Sequence, residues 1–273
     1  MDSLIASLAA VIVFTLGASI GSFINVVVYR LPAGVSILWP RSRCPHCLHQ
    51  LGNQENVPVF GWLWLKGRCR HCKSPISIRY PLVEALTGLL FLLVFWTFNI
   101  SIQTLGYWVL CSWLLALSLI DLDTMTLPNR LTKSGLIVGL AFQVFVGFLL
   151  QASWVGAVNQ LMSGIVGAVL GLWLFDAIIV VGSIAFGQAA MGGGDAKLAA
   201  MLGAWLGWKY LLLTGFLACA LGAFIGGGAI ALGWLSRRQP MPFGPFLALG
   251  AVITIFIGEG ILSAYLHFLF PAT

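Results

Sequence analysis

A few carboxylates and four thiols are the side chains here whose types and spacing point to chemistry. One apolar run ends in Leu119-Ile120-Asp121-Leu122-Asp123, and a later one begins after Gly192-Gly193-Gly194-Asp195. Ionisable groups at the ends of apolar segments are costly and need a reason. Two carboxylates that share one proton take up different protonation states. The ionised one activates a water and the protonated one polarises a carbonyl, which is the chemistry of peptide hydrolysis. The glycines ahead of Asp195 would let a substrate backbone approach closely. The plain alternatives are a solvated loop carboxylate and, for Asp195, a helix N-cap; the residues alone leave these open. Asp121 and Asp123 stand about 200° apart on a helix, so only one can face Asp195. Asp121, nearer the apolar run, is the expected partner.

The thiols form Cys44-Pro-His-Cys47 and Cys69-Arg-His-Cys72, with 21 residues between the pairs. Two such hooks suit a tetrahedral, structural zinc held by Cys44, Cys47, Cys69 and Cys72. Arg43, Lys66, Arg68, Arg70 and Lys73 lie beside them and favour thiolates. His46, His49 and His71 are nearby substitutes, but four cysteines already complete the shell. A pair of disulfides is the rival and requires an oxidising compartment. A catalytic zinc would need an open position that four cysteines do not leave. Cys111 and Cys219 lie in apolar stretches and read as small core residues.

The elements that must position these groups are membrane helices. Of 273 residues, 60% are hydrophobic and 8% charged, and mean hydropathy is +0.99. A soluble domain carries about a quarter charged residues. The expected fold is an all-α polytopic helical bundle of about eight transmembrane segments with a small zinc-binding loop. The segments fall near 4–29, 82–98, 105–120, 134–150, 157–185, 196–208, 210–235 and 244–268, the sixth being short for a full crossing. The first apolar run lacks a basic leader and is long for a signal peptide, so it is expected to stay as a helix. Gly222, Gly226, Gly227, Gly228 and Gly233 read as helix-packing positions.

Charge orients the bundle. With the N-terminus outside, 13 of the 14 Lys and Arg residues, Arg237 and Arg238 among them, face the cytoplasm, and only Lys209 does not. The positive-inside rule therefore predicts both termini outside, with the cysteine loop, Asp121 and Asp195 at the cytoplasmic face. The net charge of +6 follows from that topology and does not imply nucleic acid. Asp176 reads as a polar contact within the bundle, Glu84 as an interfacial residue able to pair with a loop Arg, and Glu259 as lying toward the outer half. The competing class is a non-enzymatic transporter or scaffold with a zinc-stapled cytoplasmic loop. It predicts polar residues deep in the helices, and it leaves Asp121 and Asp195 without a task.

Five stretches, in order, resemble the prepilin leader peptidase/N-methyltransferase family, whose members are GxGD aspartyl membrane proteases. They are Gly21-Ser22-Phe23-Ile24-Asn25-Val26-Val27-Val28-Tyr29-Arg30-Leu31-Pro32, the double Cys-x2-Cys loop, and Ile76-Ser77-Ile78-Arg79-Tyr80-Pro81-Leu82-Val83-Glu84. Ile120-Asp121-Leu122-Asp123 leading to Leu127-Pro128-Asn129 is the fourth, and Gly192-Gly193-Gly194-Asp195-Ala196-Lys197-Leu198 the fifth. The resemblance implies cleavage of the short basic leader from type IV prepilins or pseudopilins, at the cytoplasmic side of a bacterial inner membrane, after a Gly that precedes the apolar helix. It implies Asp121 and Asp195 as the catalytic pair. It also implies N-methylation of the new terminus with S-adenosylmethionine, associated with residues 1–81, while 82–273 form the peptidase part. Substrates would dock as membrane helices, since a basic face cannot attract a basic leader. The methyl-donor residues, the oligomeric state and the identity of the pilins do not follow from the sequence.

Overall fold

A computed structural model describes residues 2–52, 54–187, 192–234, 236 and 241–269. Arg237 and Arg238, named above, lie outside the described residues. Among those described, secondary structure is helical: α1 (Asp2–Arg30), α2 (Phe60–Trp64), α3 (Arg79–Phe98), α4 (Ile102–Thr124), α5 (Asn129–Gln151), α6 (Trp154–Phe186), α7 (Gly193–Ala231) and α8 (Gly244–Leu269). All but α2 are long and apolar enough to cross a membrane. The chain is thus an all-helical polytopic membrane protein. It divides into two compact units, 1–116 and 117–273, and α4 runs across the division.

In the first unit α1 packs on α3 through small residues. A Cβ added at Gly17 would lie 2.8 Å from the Phe91 ring, and one at Gly21 would lie 2.7 Å from the Glu84 backbone. Lipid offers no hydrophobic drive between helices, so such close backbone approach supplies the packing. Val13, Phe91 and Leu92 form the local core. Trp108 of α4 stacks on Phe91 at 5.0 Å and donates its indole N–H to the Phe91 carbonyl. Asn25 of α1 donates to the Tyr80 carbonyl in the first turn of α3. The long loop from 31 to 78 is tied to α3 through one buried side chain. Buried Glu84 accepts the Val59 N–H at 2.7 Å, so its loop partner is backbone rather than the arginine side chain the sequence suggested.

In the second unit the tightest contact joins α6 and α7. Gly167 and Gly203 meet backbone to backbone, and Gly171 lies on Ala199. Trp205 of α7 donates its indole N–H to the Gly135 carbonyl of α5, and Gln143 of α5 donates to the Trp205 carbonyl. These bonds satisfy polar groups that lipid cannot.

The 39 residues of α7 would stretch about 58 Å if straight, nearly twice a hydrocarbon core. They do not run straight. Gly207 has φ 76 and ψ 171, a conformation that favours glycine. Helix α6 serves as a ruler. Gly171 faces Ala199, while Phe175, one turn further along α6, lies against Gly215. A straight α7 would carry Gly215 about 24 Å past Ala199 in the opposite direction. The helix therefore doubles back at Gly207. Its halves correspond to the short sixth segment and the seventh expected from sequence, with the break at Gly207 beside Lys209.

Three expectations about which side faces inward need correction. Asp176 is exposed on α6 rather than inside the bundle. Cys219 is exposed, whereas Cys111 is buried. Of the five late glycines, Gly222 approaches Phe243 and Phe246 and Gly226 approaches Met241, but a Cβ added at Gly227, Gly228 or Gly233 would meet nothing within 4 Å among the described residues. In a bilayer the outer surface is as apolar as the interior, so hydrophobicity does not tell the two apart.

Candidate active site and candidate metal centre

Asp121 comes from the last turn of α4. Helix α4 stops at Thr124, where Met125 takes a left-handed φ of 51, and Pro128 then precedes α5. Asp195 comes from the first turn of α7, where its N–H donates to the Gly192 carbonyl at 3.0 Å. The two side chains are 5% and 6% exposed and interact electrostatically. Among the described residues three carboxylates are buried, Glu84, Asp121 and Asp195, and only the last two share a unit. Asp123 is exposed.

Local packing explains why the pair holds together. Gly194 lies against Leu127, where an added Cβ would be 3.0 Å from the leucine Cβ. Lys197 donates to Asn129 Oδ1 at 2.8 Å, linking the first turns of α7 and α5. Asp121 Oδ2 accepts the N–H of Gly244 at 3.0 Å. Gly244 opens α8, so the carboxylate sits at a helix N-terminus, where unpaired N–H groups favour negative charge. A Cβ at Gly244 would lie 2.7 Å from that oxygen. Sequence reasoning did not single out Gly244. The available signal was Gly244-Pro245 at the start of an apolar run, since Pro in the first turn marks a helix beginning.

The arrangement offers two carboxylates in one protected place, one of them oriented by a backbone N–H. Such a pair can hold one proton between two acids and activate water with the other.

The four cysteines also converge. All four Sγ atoms lie within 4.8 Å of one another; Cys44 and Cys72 are 3.7 Å apart, Cys47 and Cys69 4.0 Å. These separations are too long for disulfides. A tetrahedron of Zn–S bonds has edges of about 3.8 Å, so the donor set fits zinc. The two hooks repeat one geometry. Leu48 donates to the Cys44 carbonyl, and Lys73 to that of Cys69; Cys44 donates to His49, and Cys69 to Ser74. Leu48 and Lys73 share a left-handed φ of 57 and 59.

The electrostatics of the thiols also call for a cation. Backbone N–H groups of Cys47 and His46 bring the Cys44 thiol down to about 6, and Ser74 lowers Cys72. The His49 backbone lowers Cys47 too, but burial and the neighbouring Cys72, Cys44 and Cys69 outweigh it and push that thiol up to about 11. Four thiols this close resist joint ionisation, and a divalent cation removes the conflict.

His49 and His71 stack outside the cluster at 4.8 Å. They line a cavity of about 720 Å³ together with Gln50, Glu55 and Arg70. Flat rings, a guanidinium and a carboxylate are groups that suit a nucleoside carrying an amino acid.

Family models and curated relatives match most of the chain. The family model described as Bacterial Peptidase A24 N-terminal domain matches residues 15–98, and that of the Type IV leader peptidase family matches 108–227. A protein of Aeromonas hydrophila named prepilin leader peptidase/N-methyltransferase is 39% identical over 279 residues, covering 93% of each chain. A protein of the same name from Stutzerimonas stutzeri is 38% identical, covering 93% of this chain and 92% of its own. One from Pseudomonas putida is 37% identical with the same coverage. No solved structure matches this chain.

Proposed function

This chain belongs to the type IV leader peptidase family, and from that premise we propose that it is an aspartyl endopeptidase that cuts the leader from prepilins or pseudopilins at the cytoplasmic face of a bacterial inner membrane. The observation that carries this reading is the burial of Asp121, at the end of α4, and Asp195, at the start of α7, within one unit, the only two buried carboxylates of that unit among the described residues.

The chemistry follows from their protonation. The ionised carboxylate takes a proton from a water molecule as that water attacks the scissile carbonyl carbon. The protonated carboxyl group donates its hydrogen bond to the carbonyl oxygen. Collapse of the tetrahedral intermediate breaks the C–N bond, and the departing amine takes up a proton. Gly244 holds Asp121 in one orientation throughout, because its N–H fixes one carboxylate oxygen. Hydrolysis needs water, whereas the substrate's apolar helix needs lipid. A pair at helix ends meets both needs, with the leader in water and the helix docked between membrane segments. Termini on the outer side, as the distribution of Lys and Arg predicts, put this pair at the inner surface.

The same protein methylates the new N-terminal amine. Residues 1–81 serve this step and 82–273 the cleavage. S-adenosylmethionine, when bound, supplies the methyl group. Arg70 would take its carboxylate, Glu55 its ammonium, and the His49 and His71 rings its base. Cys44, Cys47, Cys69 and Cys72 would hold a zinc ion that staples a loop too small for a core of its own.

The test is mass spectrometry of a prepilin segment incubated with the full chain in membranes. Release of the leader, ending in Gly, and a gain of one methyl on the mature end only when S-adenosylmethionine is added are the expected results. An intact segment under every condition would remove the peptidase reading.

A further inference from the structure

The outer surface of the cysteine loop has a feature that neither peptide cleavage nor zinc binding uses. Helix α2 is one turn with two unlike sides. Gly61 is buried, and Trp62 turns inward, donating its indole N–H to the Ile76 carbonyl. Phe60, Leu63 and Trp64, at i, i+3 and i+4, share the other side. They are 65%, 56% and 88% exposed. Three large apolar side chains on one face of a polar loop need a partner.

Basic charge adjoins that face. Leu65 follows α2 directly and lines a cavity of about 310 Å³ with Lys66, Arg68, Cys69, Arg70 and Lys73. From 31 to 78 the loop carries six Lys and Arg residues against one acid, Glu55. A zinc tetrathiolate with two negative charges would leave it cationic. The depth is also set. Val59, next to α2, donates to Glu84, five residues inside α3. With a rise of about 1.5 Å per residue, α2 is held near the level where α3 enters the bilayer.

We propose that this surface is a docking site for anionic phospholipid. The phosphate of a headgroup sits in the basic cavity, and Phe60, Leu63 and Trp64 lie in the boundary between headgroups and acyl chains. Aromatic residues favour that layer, and a juxtamembrane cation gains from an anionic leaflet, by roughly fivefold in affinity for each charge. The site holds the loop flat on the inner surface and does not depend on the reaction the protein catalyses.

Hydrogen exchange of the full chain in lipid nanodiscs tests this. Discs of phosphatidylcholine alone are compared with discs of phosphatidylcholine and phosphatidylglycerol. Amides of 60–73 should exchange at least about fivefold more slowly in the anionic discs, and high salt should reduce the difference by screening. The triple variant Lys66→Gln, Arg68→Gln, Lys73→Gln should lose most of that difference. The charge-preserving pair Lys66→Arg, Lys73→Arg should keep the difference, which separates charge loss from misfolding. Trp64→Ala should exchange faster in both discs. Equal exchange of the natural sequence in the two discs overturns the proposal. So does equal protection by inorganic phosphate in phosphatidylcholine discs, which would make the cavity a site for free anions.

Discussion

Gly244 gives its backbone N–H to Asp121 across 3.0 Å, joining the start of α8 to the end of α4. The hydrogen bond leaves no room for a side chain, since a Cβ would stand 2.7 Å from the same oxygen. Gly244→Ala should therefore turn the Asp121 carboxylate while leaving the bundle intact. A misplacement of about 1 Å at a reacting group can cost about 100-fold in rate. Leader cleavage should fall roughly 10- to 100-fold with unchanged expression and thermal unfolding. Full cleavage by this variant would show that the orientation of Asp121 is not set by α8.

Lys197 and Asn129 act as a strap beside Asp195. Lys197→Met and Asn129→Ala should each slow cleavage less than loss of either aspartate. Because both remove one contact, the double variant should be little worse than the worse single one, which a double-mutant cycle of cleavage rates would read as coupling. Additive losses would mean that the two residues act separately.

The cysteine cluster predicts one zinc per chain, measured by atomic emission on the purified protein. Metal binding displaces thiol protons, so retention is favoured at higher pH and lost in acid. The Cys44 thiol lies at about 6, below its ordinary range, so its thiolate is available above that pH and disappears as pH falls through it. Bound zinc holds the thiolates deprotonated below the pH at which the free thiol reprotonates, so zinc should be released only as pH falls below that value, and Cys44→Ser should lose the metal already at neutral pH. Full retention of zinc by Cys44→Ser at neutral pH would contradict this assignment.

Glu84 clamps the loop to α3 through Val59, which has a left-handed φ of 62. Glu84→Ala leaves that N–H without its partner, at a cost of about 1–3 kcal/mol for a buried group. The loop from 54 to 66 should become more open to limited proteolysis, while Glu84→Gln, which keeps an acceptor, should protect it better. Equal digestion of all three proteins would show that the clamp does not hold the loop.

Much of this was legible in the sequence for simple reasons. Metal ligands announce themselves, because Cys44, Cys47, Cys69 and Cys72 have a spacing that only a few geometries use. Apolar runs announce membrane helices by length, and even the break beside Lys209 appeared as a change in composition. The sequence could not say which face of a helix is inside, hence Asp176 and Cys219. It also could not say what meets Asp121 from more than a hundred residues away. Gly244 has no side chain to advertise its role, and its importance is apparent only from the oxygen beside it.

The account rests on Asp121 and Asp195 working as one unit, and cleavage by aspartate variants in membranes tests it most directly. Asp121→Asn and Asp195→Asn should each abolish leader release, the double variant should be no worse than either, and Asp123→Asn should keep substantial activity. Substantial cleavage by either of the first two, or complete loss with Asp123→Asn alone, would contradict it.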